Sequence, residues 1–133
     1  VAKLQEDPSL SLALLAKKIE NPREVEDPNI VKMVFDARMR ALYFSRSPIP
    51  YPRNPREAVW YKHIGPYAYR REFLLHFASW EPTPLERVES LEMLRILERG
   101  YPIGCVAVER DTLEIDTPED VERCEAYLRE REN

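Results

Sequence analysis

Glycine is nearly missing from this chain: Gly65, Gly100 and Gly104 are the three in 133 residues. A loop that cradles phosphates with backbone amides needs closely spaced glycines at a helix start, so no triphosphate site is expected here. Cysteine and histidine are equally scarce, two of each. Cys105 and Cys124 lack metal-ligand spacing and partner histidines, which speaks against a zinc site and reads as a pair of buried free thiols, suited to the cytoplasm. No nucleophile triad stands out. The longest apolar run, Leu12 to Ala16, is far below the ~20 residues of a membrane span, so neither an anchor nor a signal peptide is expected. Charge of one sign is nowhere concentrated. The 24 acids and 20 bases give a net −4 without a basic stripe, which argues against nucleic acid as a partner.

Proline and mixed charge, by contrast, are plentiful. Twelve prolines, 33% charged and 44% hydrophobic residues describe a soluble globular chain of one domain's length, residues 1–133, whose elements are often interrupted. Val1 to Pro8 reads as the last turns of a helix stopped by proline, as though the chain begins inside something larger. Ser9 to Ile19 reads as one buried strand. Asn29 to Asp36 and Arg40 to Ser45 are β-branched or aromatic runs and predict a hairpin. Four prolines between Ser47 and Pro55 make a stiff loop. Trp60 to Tyr69 predicts a strand, and Arg71 to Ser79 a short helix with Phe73, Leu74 and Phe77 on its apolar stripe.

Thr83-Pro84-Leu85-Glu86 is a capping box with proline at the first helical position. The helix it opens is expected to run to Arg99, with Leu85, Val88, Leu91 and Leu94 facing the core and Gly100 ending it. Ile103 to Glu109 predicts a strand. Thr117-Pro118-Glu119-Asp120 repeats the cap chemistry before a last helix buried through Val121, Cys124 and Leu128. The fold class is α/β: a mixed sheet with helices.

Few residues carry obvious chemistry. Arg46, at a strand end in a proline-stiffened loop, suits a two-pronged carboxylate or phosphate clamp, or a plain surface salt bridge. His63 and Tyr67, four apart on a strand, share a face; they suit a ligand's hydroxyl or carboxylate groups, or a half-buried hydrogen-bonded couple. Glu89 and Glu92, a turn apart, suit sugar hydroxyls or a cation, or form a solvated face. Asp116, just before a helix cap, stays ionised and suits magnesium, or only supports the helix start.

In order along the chain stand Asn29-Ile30-Val31-Lys32, Ala41-Leu42-Tyr43-Phe44-Ser45-Arg46-Ser47-Pro48-Ile49-Pro50, His63-Ile64-Gly65, Pro84-Leu85-Glu86 to Ser90-Leu91-Glu92, and Asp116-Thr117-Pro118-Glu119-Asp120. This series is similar to the second half of CMP-Kdo synthetases, the 3-deoxy-manno-octulosonate cytidylyltransferases. The resemblance implies the carboxyl-terminal part of a Rossmann-like nucleotidyltransferase fold, without the amino-terminal nucleotide-binding half. It implies a homodimer that joins Kdo and CTP, with Mg2+, into CMP-Kdo and pyrophosphate for lipopolysaccharide synthesis. By matching position, Arg46 would hold the Kdo carboxylate, His63, Tyr67 and Glu92 would line the sugar pocket, and Asp116 would be the magnesium ligand. Arg46 and Asp116 would be the catalytic pair, and the CTP site would lie mostly in the other half.

The sequence departs from that family at three places. Met93 stands where a glutamine is common, Pro66 where an aliphatic residue is usual, and Thr112-Leu113-Glu114 where glycines precede the aspartate. Pro66 suggests an edge strand or a local bend. Two alternatives follow: a non-catalytic dimerisation module derived from the family, or half of a related enzyme acting on sialic acid or an amino-Kdo.

Overall fold

The computed structural model describes residues 1–110, 115 and 117–132. Among these, five strands form one mixed sheet: β1 (Leu12–Lys18), β2 (Lys32–Phe35), β3 (Ala41–Ser45), β4 (Tyr61–Tyr69) and β5 (Ile103–Val108), in the order β3-β2-β4-β1-β5. Every neighbouring pair is antiparallel except β1 with β5. The helices are α1 (Ala2–Glu6), α2 (Pro22–Glu26), α3 (Arg71–Phe77), α4 (Pro84–Glu89), α5 (Met93–Glu98) and α6 (Pro118–Glu132). The mixed α/β class and the predicted strands and hairpin are therefore present.

Alternation along β1 places Leu12, Leu14 and Ala16 on the main core, where they meet Met33, Phe44, Phe73, Phe77, Leu94, Ile96 and Ile103. Ala13 points the other way, into a smaller cluster with Leu4 of α1 and Leu10. Covered on both faces, β1 reads as a continuous apolar run. Gly104 is required by close approach: a Cβ there would lie 2.6 Å from Leu10 Cδ1. Beside it the hairpin turn reaches across to β5, where Cys105 N–H donates to the Met39 carbonyl at 2.8 Å.

On the face opposite the main core lies a row of lysines. Lys17, Lys62 and Lys32 are cross-strand neighbours on β1, β4 and β2, and all three are buried. Like charges directly opposite one another are destabilising, and the segment running through α2 offsets them. Glu20 lies 3.7 Å from Lys17, Glu24 lies 2.7 Å from Lys62, and the carbonyls of Asp27 and Ile30 accept from Lys32.

Several sequence expectations are corrected. Asn21-Pro22 is a helix start: Asn21 accepts from the Arg23 N–H at 3.1 Å and Pro22 opens α2. The helix expected over 83–99 is two helices, broken at Ser90 in the left-handed region, φ 54°. Leu85 and Val88 consequently face solvent, while Met93, Leu94 and Ile96 are buried. Leu74 is exposed, so Phe73 and Phe77 alone carry the apolar face of α3. In α6, Val121 and Leu128 are exposed and Cys124 is half-buried, so the stripe expected there is not covered by the described residues. Cys105 is buried and both cysteines are free. β4 lies between β2 and β1, but β2 pairs only with Tyr61 and Lys62, so the stretch that carries Pro66 is paired on the β1 side alone.

Candidate functional site

The site begins where β3 runs into the proline loop. Ser45 Oγ donates to one Glu89 carboxylate oxygen at 2.6 Å, and the Arg46 backbone N–H donates to the other at 2.9 Å. The Arg46 guanidinium continues the clasp: Nε donates to the Glu89 carbonyl at 2.7 Å, Nη2 to the Ser90 carbonyl at 3.2 Å and Nη1 to the Pro28 carbonyl at 2.9 Å. The bonds to Glu89 and Ser90 satisfy carbonyls that the broken end of α4 would leave open. A guanidinium has five N–H donors and three are engaged here, so one remains on each terminal nitrogen.

The second part of the site is a bulge in β4. Ala13 pairs with Ala68 and Leu15 with Ile64, so two steps along β1 match four along β4. Gly65, at φ 65°, and Pro66 lie within the extra length. In an unbroken strand residues four apart are separated by about 13 Å, yet the His63 and Tyr67 rings stack with centroids 4.9 Å apart and planes at 25°. The bend suggested by Pro66 is thus present, and it folds Tyr67 back over His63.

From this pair the rings form a contiguous surface. Phe44 meets His63 edge-on at 6.4 Å, Tyr67 lies 6.0 Å from Tyr69, and Tyr69 stacks on Phe77 at 6.1 Å. Burial pushes the Tyr69 hydroxyl up to about 12, with repulsion from an ionised Tyr67 and from the Glu92 carboxylate adding to it. Tyr69 therefore remains a neutral donor at physiological pH. Between α4 and α5, Arg46 is held at Glu89 and Ser90.

Of the expected site residues, His63 and Tyr67 are brought into contact and Arg46 is held at the end of α4, while Asp116 and Thr112-Leu113-Glu114 lie outside the described residues. Glu89 differs from both of its sequence readings, since its carboxylate is taken by Ser45 and Arg46. Met93 is buried in the main core, so its thioether packs against apolar neighbours. Sequence reasoning missed Tyr69 and the serine of the clasp. The signal available for Tyr69 was its two-residue spacing from Tyr67. A separate apolar cavity of about 490 Å³ lies between α2 and the proline loop, lined by Pro22, Val25, Glu26, Pro48, Tyr51, Pro52 and Trp60. Among the described residues no group of three His, Cys, Asp or Glu side chains is arranged to hold a metal ion.

The sequence profile of the family described as cytidylyltransferase matches residues 1–122. The chain belongs to the cytidylyltransferase family. It is 49% identical over 138 aligned positions to the 3-deoxy-manno-octulosonate cytidylyltransferase of Syntrophotalea carbinolica, covering 97% of this chain and 55% of the relative. The enzyme of the same name from Syntrophus aciditrophicus is 50% identical over 126 positions, covering 94% and 51%. The solved structure of CMP:2-keto-3-deoxy-manno-octonic acid synthetase complexed with CTP superposes with a TM-score of 0.91 at 39% identity, covering 98% of this chain and 54% of that one. The chain thus spans about half the length of the curated relatives it matches.

Proposed function

We propose that this chain forms the sugar-acid-recognising part of a 3-deoxy-manno-octulosonate cytidylyltransferase, which transfers CMP from CTP to Kdo and releases pyrophosphate. The observation that carries this reading is the 49% identity, over nearly the whole chain, to a relative of that name. The geometry supports it. The two remaining Arg46 N–H groups take the sugar carboxylate, the stacked His63–Tyr67 pair and neutral Tyr69 meet hydroxyls, and Glu92 accepts from them.

In the reaction the anomeric hydroxyl of the sugar attacks the α-phosphorus of CTP. A P–O bond forms there, the bond to the β-phosphate breaks, and pyrophosphate leaves as the hydroxyl proton is lost. The contribution of these residues is positioning and charge complementarity. The reading includes Mg2+ with Asp116 as this chain's ligand, supplying charge neutralisation at the phosphates. The reading also includes the cytoplasm, lipopolysaccharide synthesis and a homodimer. Among the described residues no helix is long and apolar enough to cross a membrane.

Four large aromatics on and beside β3 and β4 that could anchor such a dimer, Tyr43, Trp60, Tyr61 and Tyr69, are engaged within the chain. Tyr61 packs on Phe35 at 4.8 Å, Tyr69 stacks on Phe77, Trp60 Nε1 donates to the Pro50 carbonyl at 3.1 Å, and Tyr43 packs against the core. Exposed Leu42 on edge strand β3 and Leu128 on α6 are better placed to meet a second copy.

A pyrophosphate-release assay tests the reading. The 133-residue chain alone is expected to give no turnover with CTP, Kdo and magnesium, because it has no glycine-rich phosphate loop. Adding the amino-terminal half of a relative is expected to produce release. Turnover by the chain alone, abolished by Asp116→Ala, overturns the division of labour. Silence with the added half, despite a demonstrated complex, favours the non-catalytic module.

A further inference from the structure

Lys32 is completely buried, one of the largest side chains in the chain to be so. A methionine would fill a similar volume without the desolvation that burying an amine entails. That desolvation lowers its proton affinity. What distinguishes lysine at this position is what its Nζ holds: the carbonyls of Asp27 at 2.6 Å and Ile30 at 2.5 Å. The Asp27 carbonyl also accepts the Ile30 N–H at 3.1 Å, and the Asn29 N–H donates to Asp27 Oδ1 at 2.8 Å. Between the two carbonyls fixed by Lys32 lies that of Pro28, and it accepts from Arg46 Nη1.

The turn over 27–30 is therefore gripped by two cationic side chains, one buried beneath it and one at its rim. Arg46 has two other supports, the Glu89 and Ser90 carbonyls, both at the end of α4. Three carbonyls from two separate segments define the plane of the guanidinium, and the 27–30 side of that frame is set by Lys32. The lysine row strengthens this grip. Lys17 and Lys62 hold Glu20 and Glu24 in the same connecting segment, and Lys32 holds its last turn.

From this geometry we infer that Lys32 is a positioning residue for Arg46, fixing the direction in which the guanidinium presents its remaining donors to the carboxylate of the sugar acid. The inference rests on the proposed role of Arg46, and its test separates the two. In the 133-residue chain labelled with 15N, the Arg46 Nε–H is expected to exchange slowly with solvent. In Lys32→Met it exchanges about tenfold faster, while the Arg95 Nε–H, bonded to Glu86, is unchanged. Kdo affinity, read by calorimetry, falls about tenfold in Lys32→Met. It falls no further when Lys32→Met is added to Arg46→Lys, as expected of residues acting through one contact.

Unchanged Arg46 exchange in Lys32→Met overturns the inference, as does an equal loss of Kdo affinity in both backgrounds. If Arg46→Lys leaves Kdo affinity as it was, the reading of the site fails, and the exchange measurement still decides the role of Lys32. Should Lys32→Met not fold, Lys32→Gln, which keeps amide donors for the same carbonyls, carries the test. It is expected to retain part of the Arg46 protection. Failure of both variants to fold makes Lys32 a folding residue and overturns the positioning role.

Discussion

The carboxylate of Glu86 meets two requirements at once. It accepts the Thr83 backbone N–H at 3.2 Å, completing the cap of α4, and takes two bonds from Arg95 of α5, Nε at 2.7 Å and Nη2 at 2.6 Å. The pair is nearly buried, and the Arg95 guanidinium also lies over the Phe77 ring at 5.0 Å. The Arg95 hydrogen bonds hold the Glu86 carboxyl below its usual 4.5, although burial alone would raise it. With a depressed folded-state value, the pair's stabilisation is present above the ordinary carboxylate range and is lost as pH falls through the folded value. Glu86→Gln is therefore expected to cost about 3 kcal/mol at neutral pH, as for a broken buried pair. The gap from the parent should narrow as pH drops below the usual carboxylate range. Urea midpoints of both chains from neutral to acid pH check this, and a gap independent of pH contradicts it.

At the scale of elements, the break at Ser90 separates what local patterning predicts from what distant contacts impose. Leu85, Val88, Leu91 and Leu94 follow helical spacing, and after Pro84 at the helix start nothing up to Arg99 is a proline or glycine. The break is made by partners far along the chain: Ser45 and Arg46 take the carboxylate and carbonyls of Glu89 and Ser90. Ser90→Gly distinguishes the two accounts by its sign. Relief of the left-handed conformation is expected to stabilise the chain by up to about 1 kcal/mol, whereas in a continuous helix the same change would cost about 0.5 kcal/mol. Thermal denaturation of the variant reads the sign directly. The same reasoning explains what was legible. The strands, the hairpin and the Thr83 cap follow from alternation, β-branching and local hydrogen bonds. The β4 bulge, the exposure of Leu85 and Val88 and the engagement of Glu89 depend on tertiary partners. The Asn21-Pro22 start was legible in principle, since the pair that ends a strand also caps a helix.

For the whole molecule, the mixed α/β class and the family were legible from ordered motifs, and Arg46, His63, Tyr67 and Glu92 were chosen from the resemblance. The contact between His63 and Tyr67 was not legible, because their stacking requires the extra residues of the bulge. Exposed Leu42, Val88 and Leu128 leave apolar surface that a second copy can cover. Light scattering at tens of micromolar is expected to give twice the 15.7 kDa chain mass, and a stable monomer contradicts the homodimer. The claim that this chain recognises a sugar acid is tested most directly by calorimetric titration of Kdo into the 133-residue protein at neutral pH. Saturable binding is expected, weakened by about 2–5 kcal/mol in Arg46→Ala, as for a lost charged contact in a site, and weakened also in His63→Ala, with the circular dichroism of both variants unchanged. Absence of binding, or an affinity untouched by both substitutions, contradicts the account.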